Sequence, residues 1–255
     1  MERKILILGG TAEARQLAGR LARRVGLDVT LSLAGRTVAP VEQGVPVRVG
    51  GFGGAAGLAT YLRENGVALL IDATHPYAAR ISANAVEASD EAGVPLLALR
   101  RPAWQAVAGD RWIEADSVAE AVALIGQEPR RVFAALGRQE VAPLERAKQH
   151  FYLVRSVDPI DPPLALLCAD YILGRGPFDE AAERALLLAD RIDAVLCKNS
   201  GGDASYGKIA AARALGLPVF MVRRPELPAA RTAETVEAAE LAVAHLLPPA
   251  EKRGE

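Results

Sequence analysis

Short apolar runs rich in leucine, isoleucine and valine alternate along this chain with longer alanine-rich runs whose apolar positions recur every three or four residues. Runs of the first kind suit strands buried on both faces, and runs of the second suit amphipathic helices, so their alternation predicts βα units and a parallel sheet. Strands are expected over residues 4–8, 28–33, 46–49, 68–72 and 95–99, with helices over 12–24, 58–65 and 78–92 between them. A short sixth strand at 111–114 leads to a helix that starts after Ser117, a good capping residue, and runs to about Ile125.

Residues 126–131, GQEPRR, then interrupt the pattern with glycine, proline and charge. A fresh series follows, with strands at 132–136, 151–156, 171–173, 194–198 and 218–222 and helices at 139–148, 179–191, 206–215 and 232–247. The fold class expected is therefore α/β in two lobes, residues 1–128 and 129–255, each a mainly parallel sheet flanked by helices. Open sheets of this kind bind ligands beyond the carboxyl ends of their strands, where helix N-termini present unpaired N–H groups. A residue just after a strand gains functional weight, and one in mid-helix loses it.

Composition narrows the class. The chain has 255 residues, 51% apolar and 24% charged, with 23 glycines and few aromatics, which describes a soluble globular protein rich in turns. A formal charge of −1 argues against nucleic acid or a membrane surface as partner. The first strand begins at Lys4, too early for a secretory segment, and no apolar run approaches the ~18 residues needed to span a bilayer, so a cytoplasmic location is expected. Cys168 and Cys197 lack the spacing of a zinc site and are expected to be buried as small apolar residues. With His75, His150 and His245 dispersed, no protein-bound metal is expected.

Five stretches carry candidate chemistry. In ILILGGTAEARQLAGRL (5–21) a strand runs into Gly9-Gly10-Thr11 and a helix opening at Ala12, which aims amides and a helix dipole at an anion such as phosphate. The full G-x-G-x-x-G fingerprint is absent, and a turn made tight for packing alone is the alternative. In LSLAGRT (31–37) no acid ends the second strand to grip a ribose 2′-hydroxyl, and Arg36 and Thr37 follow. A dinucleotide bound there would be NADP(H), since a guanidinium suits a 2′-phosphate; otherwise Arg36 is a solvated surface cation. In RVGGFGGAAGL (48–58), Gly50, Gly51, Gly53 and Gly54 let backbone approach a ligand that Phe52 would cover, or form a flexible connector.

The fourth, IDATHPYAARISANA (71–85), places Thr74 and His75 between Asp72, at a strand end, and Pro76, suited to a first helical turn. Both residues read either as helix caps or as ligand contacts, and imidazole is the side chain suited to proton handling near neutral pH. The fifth, KNSGGDASYGKIAAARALGLPVFMVRRP (198–225), ends a strand at Lys198 and turns through Asn199, Ser200, Gly201 and Gly202 into a helix containing Lys208, a second arrangement suited to an anion. Cations follow the expected strands repeatedly: Arg36, Arg100, Arg101, Arg138, Arg155, Arg175, Lys198, Arg223 and Arg224. Unless this placement is chance, such a rim suits a polyanion larger than one phosphate.

In this order and spacing, GGTAEARQLA, SLAGRT, GGFGGAAGL, IDATHPYAARISANA, RGPF at 175–178 and KNSGGDASYGKIAAARALGLPV resemble the precorrin-6A reductase family of cobalamin biosynthesis over nearly the whole chain. Tyr77 departs from the phenylalanine expected there and keeps the ring. The resemblance implies two Rossmann-like lobes with the active site in the cleft between them. It also implies an NADPH-dependent enzyme that reduces one double bond of precorrin-6A to give precorrin-6B, or carries out the same step on cobalt-precorrin-6A.

On this reading Gly9, Gly10, Thr11 and Ala12 hold the pyrophosphate of NADPH, Arg36 and Thr37 hold its 2′-phosphate, and Gly51 and Thr74 complete the cofactor set. Asp72, His75, Arg138, Arg175, Lys198, Asn199, Ser200, Gly201 and Arg224 face the substrate, and His75, Lys198 or solvent supplies a proton. The protein is expected to be a monomer or small homo-oligomer. A non-catalytic two-lobed sensor and an NADP-dependent reductase of a smaller polyacid share the same turns and remain the rival readings.

Overall fold

The computed structural model describes residues 2–35 and 42–247. It divides into two compact units, Met1–Arg101 with Glu226–Glu255, and Pro102–Pro225. Arg36 and Thr37 lie outside the described residues.

In the first unit the chain runs β1 (Arg3–Leu8), α1 (Ala12–Leu21), β2 (Leu27–Leu33), β3 (Val47–Val49), α2 (Ala55–Glu64), β4 (Val67–Asp72), α3 (Ala79–Ala92) and β5 (Leu96–Leu99). The second unit follows as β6 (Trp112–Ala115), α4 (Val118–Ile125), β7 (Arg131–Ala135), β8 (Phe151–Ser156), β9 (Ala169–Leu173), α5 (Glu180–Ala189), β10 (Ala194–Lys198), α6 (Gly207–Ala214) and β11 (Val219–Val222). The chain then returns to the first unit as β12 (Arg231–Ala233) and α7 (Val236–Leu246).

Among the described residues each unit holds a six-stranded parallel sheet, ordered β12-β5-β4-β1-β2-β3 in the first and β6-β11-β10-β7-β8-β9 in the second. The central strands are apolar on both faces because helices cover both. Ile5 and Ile7 of β1 pack with α1 and α7, while Leu6 and Leu8 pack with α2 and α3. In the second unit Phe133, Val195, Cys197, Val219 and Met221 form the corresponding layer with α6. Each such side chain contributes roughly 1.5–3 kcal/mol on burial.

Most expected elements are present, and the differences have local causes. The division expected near residue 128 is displaced at both ends: β6 pairs with β11 in the second sheet, and β12 pairs with β5 in the first. The reason is edge protection, since β11 is buried along its whole length and needs a partner on its outer side. The expected helix at 139–148 is a 3₁₀ turn, Ala142–Arg146; Pro143 would lie inside the expected helix without an N–H to bond to the carbonyl of Gln139, and it is tolerated in the first turn of the shorter element. The expected helix at 232–247 gives its first residues to β12 and starts after Thr235, whose hydroxyl accepts from Ala238 N at 3.1 Å. Cys197 is buried as expected, but Cys168 is exposed. Arg155 does not join a solvent-facing rim: it is buried, donates to both oxygens of Glu183 at 2.5 and 2.8 Å, and stacks 3.7 Å from the Phe178 ring. Among the described residues no helix is long and apolar enough to cross a membrane, and no cluster of His, Cys, Asp or Glu is set to hold a metal ion.

Candidate functional site

Each sheet has a point where successive connections leave in opposite directions, between β1 and β4 in the first unit and between β7 and β10 in the second. Ligands of open α/β sheets bind beyond the carboxyl ends of the strands at such points. Most of the residues singled out in the sequence collect there.

In the first unit, Gly9, Gly10, Thr11 and Ala12 join β1 to α1. A Cβ on Gly9 would stand 2.6 Å from Leu31 Cδ1, and Gly10 adopts φ +117 with open space where a side chain would lie, so the backbone passes close to the sheet and stays uncovered. Thr11 caps α1, accepting from Ala14 N at 3.1 Å, and donates to Ala73 O at 2.9 Å, which ties the turn after β1 to the turn after β4. Asp72 ends β4 opposite Leu8 and is 4% exposed. Its Oδ1 accepts from Thr74 N and Thr74 Oγ1 at 3.1 and 2.6 Å, and its Oδ2 accepts from Ser82 Oγ at 2.6 Å. Both oxygens thus accept from within the protein, and Asp72 shapes the turn. Thr74 does not cap α3, whose first turn follows Ala78. His75 is half-buried; its Nδ1 accepts from Tyr77 N at 3.3 Å, which leaves Nε2 as the protonated nitrogen of the neutral ring. Gly51 follows β3 at the sheet edge, where Arg48 donates to Gly50 O and Gly51 O at 2.5 and 2.8 Å and lies 3.8 Å from the Phe52 ring.

In the second unit, Lys198 ends β10 and pairs with Glu140 at 2.5 Å, and Glu140 Oε2 also accepts from Gly137 N at 3.3 Å in the turn after β7. Arg138 stands exposed in that turn. Asn199 is buried: its Oδ1 accepts from Trp104 N at 2.8 Å and its Nδ2 donates to Trp104 O at 2.9 Å. Arg224 donates to the carbonyls of Asn199, Ser200 and Pro102 at 2.8, 3.0 and 3.1 Å. Gly201 is buried at φ +68, where a Cβ would meet Pro102 O at 2.1 Å, so only glycine fits. Asn199 and Arg224 thereby brace the turn that carries Ser200 and Gly201. Arg175 follows the edge strand β9 and pairs with Asp158 at 3.7 Å, in a loop that turns back onto the segment after β10, where Phe178 N donates to Ala204 O at 3.0 Å and a Cβ on Gly176 would stand 2.7 Å from the same oxygen. Beneath the turn, Lys208 is buried and donates to Ser205 O at 2.5 Å; burial pulls its pKa down.

Residues 4–246 match the family model described as precorrin-6x reductase CbiJ/CobK. The chain belongs to this family. A precorrin-6A reductase from Sinorhizobium sp. is 55% identical over 97% of this chain and 95% of its own, and one from Rhodobacter capsulatus is 48% identical over 92% and 93%. The solved structure of a CobK precorrin-6A reductase superimposes with a TM-score of 0.91 at 47% identity, over 96% of this chain and 97% of that one.

Membership of the precorrin-6x reductase family makes the chain an oxidoreductase that works with a nicotinamide coenzyme. The turn after β1 fits such a group: uncovered glycine backbone leads into a helix whose first amides lack intrahelical partners. Sequence reasoning missed Ser82, Arg48, Glu140 and Trp104, the partners that hold these turns. Trp104 and Asn199 lie 95 positions apart, and nothing in either local pattern marks them as a pair.

Proposed function

We propose that this chain uses NADPH to reduce one double bond of the metal-free macrocycle precorrin-6A, giving precorrin-6B. The observation that carries the reading is family membership across residues 4–246, joined to glycine turns at both switch points. When bound, the coenzyme supplies the hydride. The amides of Gly10, Thr11 and Ala12 hold its pyrophosphate, with Gly9 keeping the backbone low on the sheet. Arg36 and Thr37 take the 2′-phosphate, because β2 ends without the acid that would prefer a free 2′-hydroxyl. Gly51, after β3, and Thr74, after β4, complete the coenzyme set at the carboxyl ends of the strands.

Arg138 and Lys198 receive substrate carboxylates through charge-assisted hydrogen bonds, with Ser200 and Gly201 presenting the turn beside them and Arg175 reaching a more distant carboxylate. His75, whose Nδ1 accepts from Tyr77 N, supplies from Nε2–H the proton that balances hydride addition, with Lys198 the alternative donor in its own unit. We place the reaction in the cytoplasm, with no nucleic acid or membrane partner.

Mixing purified protein with NADPH and precorrin-6A and following the nicotinamide absorbance tests the reading. Loss of absorbance that requires both components, with precorrin-6B as product, is expected. No turnover, or equal turnover of a smaller polycarboxylate, would overturn it.

A further inference from the structure

Asp72 carries a buried charge that no hydrogen-bonding role fully explains. Two hydroxyls and one amide donate to its two oxygens, and both hydroxyl contacts are 2.6 Å, the length typical of an ionised acceptor. All three donors are neutral. Among the described residues Asp72 makes no ion pair; of the arginines that follow the neighbouring β5, Arg100 donates to Pro228 O and Arg101 pairs with Glu13. A carboxylate held this way keeps its negative field, and at 4% exposure water screens it weakly.

Its position gives that field a direction. Asp72 is in register with Leu8, the residue before the Gly9–Thr11 turn, on the β4 side of the switch point. Dinucleotides straddle such a point, one half on each side. In such folds the ribose beside the adenine is held at the end of the second strand, which puts the adenine half on the β2 side and the nicotinamide half on the β4 side.

Hydride transfer moves two electrons and one hydrogen from the nicotinamide to the macrocycle and leaves the nicotinamide with one positive charge. We infer, resting on the coenzyme reading above, that Asp72 is an electrostatic positioning residue that favours the oxidised cationic nicotinamide over the neutral reduced one, and so drives hydride toward the substrate. Its bonds to Thr74 and Ser82 hold the carboxylate in place without neutralising it. A cation in either position would have cancelled the effect.

Calorimetric titration of the full-length protein with NADP⁺ and with NADPH reads this directly, without turnover. Asp72→Asn keeps the size and removes the charge; its Oδ1 still accepts from Thr74, while its Nδ2 donates to Ser82 Oγ and so reverses that one bond. The ratio of the NADP⁺ Kd to the NADPH Kd is expected to rise about tenfold, the effect of one charge at a distance of roughly 10 Å in a moderately polar interior, equivalent to about 30 mV for a two-electron couple. Ser82→Ala removes one hydrogen bond but keeps the charge, and should leave the preference for NADP⁺ unchanged or increased. Equal weakening of both forms in Asp72→Asn, or a loss of NADP⁺ preference in Ser82→Ala, would overturn the inference and leave the coenzyme assignment standing. If Asp72→Asn does not fold by circular dichroism, Asp72→Ser, which also removes the charge, is titrated in its place and read in the same way. Failure of the wild-type protein to bind either form would overturn both.

Discussion

On the proposed reading, Arg36 is the residue whose identity most sharply divides one coenzyme from another. A guanidinium on a 2′-phosphate forms hydrogen bonds to a charged group, each worth about 1.5–3 kcal/mol, so Arg36→Ala should weaken NADPH about ten- to a hundredfold. NADH, which lacks that phosphate, should bind the variant and the wild type alike; equal loss for both would place the 2′-phosphate elsewhere. At His150 a single side chain sets a pH dependence remote from catalysis. Its ring is 1% exposed, and burial, assisted by the Arg130 charge, lowers its pKa from the usual 6.5 against the opposing bond to the Gly126 backbone. The unfolded chain therefore takes up the proton more readily than the folded one. Stability from this residue is complete above pH 6.5 and falls as the pH drops through 6.5 toward the lower folded value. Urea unfolding between pH 7 and 5, as approximate limits, should show a slope of at most about 1.4 kcal/mol per pH unit from this group, and His150→Gln should flatten it.

Between elements, the Arg155–Glu183 pair links β8 to α5 with both side chains buried, 7 and 3% exposed. Removing one partner leaves a buried charge alone. Glu183→Leu is expected to cost about 3–5 kcal/mol, while the double variant Arg155→Met with Glu183→Leu should cost less than either single change, as read from denaturation midpoints. This pair also shows where the sequence stops being legible. An arginine after an apolar run reads as a rim cation, because nothing local to Arg155 announces a glutamate 28 positions on. Elements bounded by their own chemistry were readable: β8 and β10 match the expected 151–156 and 194–198 at both ends, and Ser117 caps α4 through Glu120 N. The glycine turns were readable for the same reason, since φ and close approach are local demands that glycine alone meets. What escaped was pairing at a distance: Glu140 with Lys198, Ser82 with Asp72, Trp104 with Asn199. One short edge strand escaped too, since the three residues of β12 are strand only because β5 lies beside them.

For the whole molecule, the path of the chain decides which pieces hold together. The boundary suggested by GQEPRR at 126–131 follows a real break in periodicity, yet it separates α4 from β7, which belong to one unit. A fragment of residues 129–255 would lack β6, leaving the edge of β11 unpaired, and would lack Ala121, Val122 and Ile125, all buried in α4. It would also carry β12 and α7 without the sheet that buries Ala233, Val236, Ala239 and Val243. Each buried valine forgoes roughly 1.5–3 kcal/mol when its site is absent, and stabilities of whole domains are only about 5–15 kcal/mol. A fragment of residues 102–225 keeps all six strands of its sheet and every helix packed on them. It should therefore unfold in one cooperative urea transition, while 129–255 should show no such transition and should bind dyes specific for exposed apolar surface. A cooperative transition in 129–255, or its absence in 102–225, would mean that the strand pairings across β11 and β5 contribute less to folding than continuity along the chain.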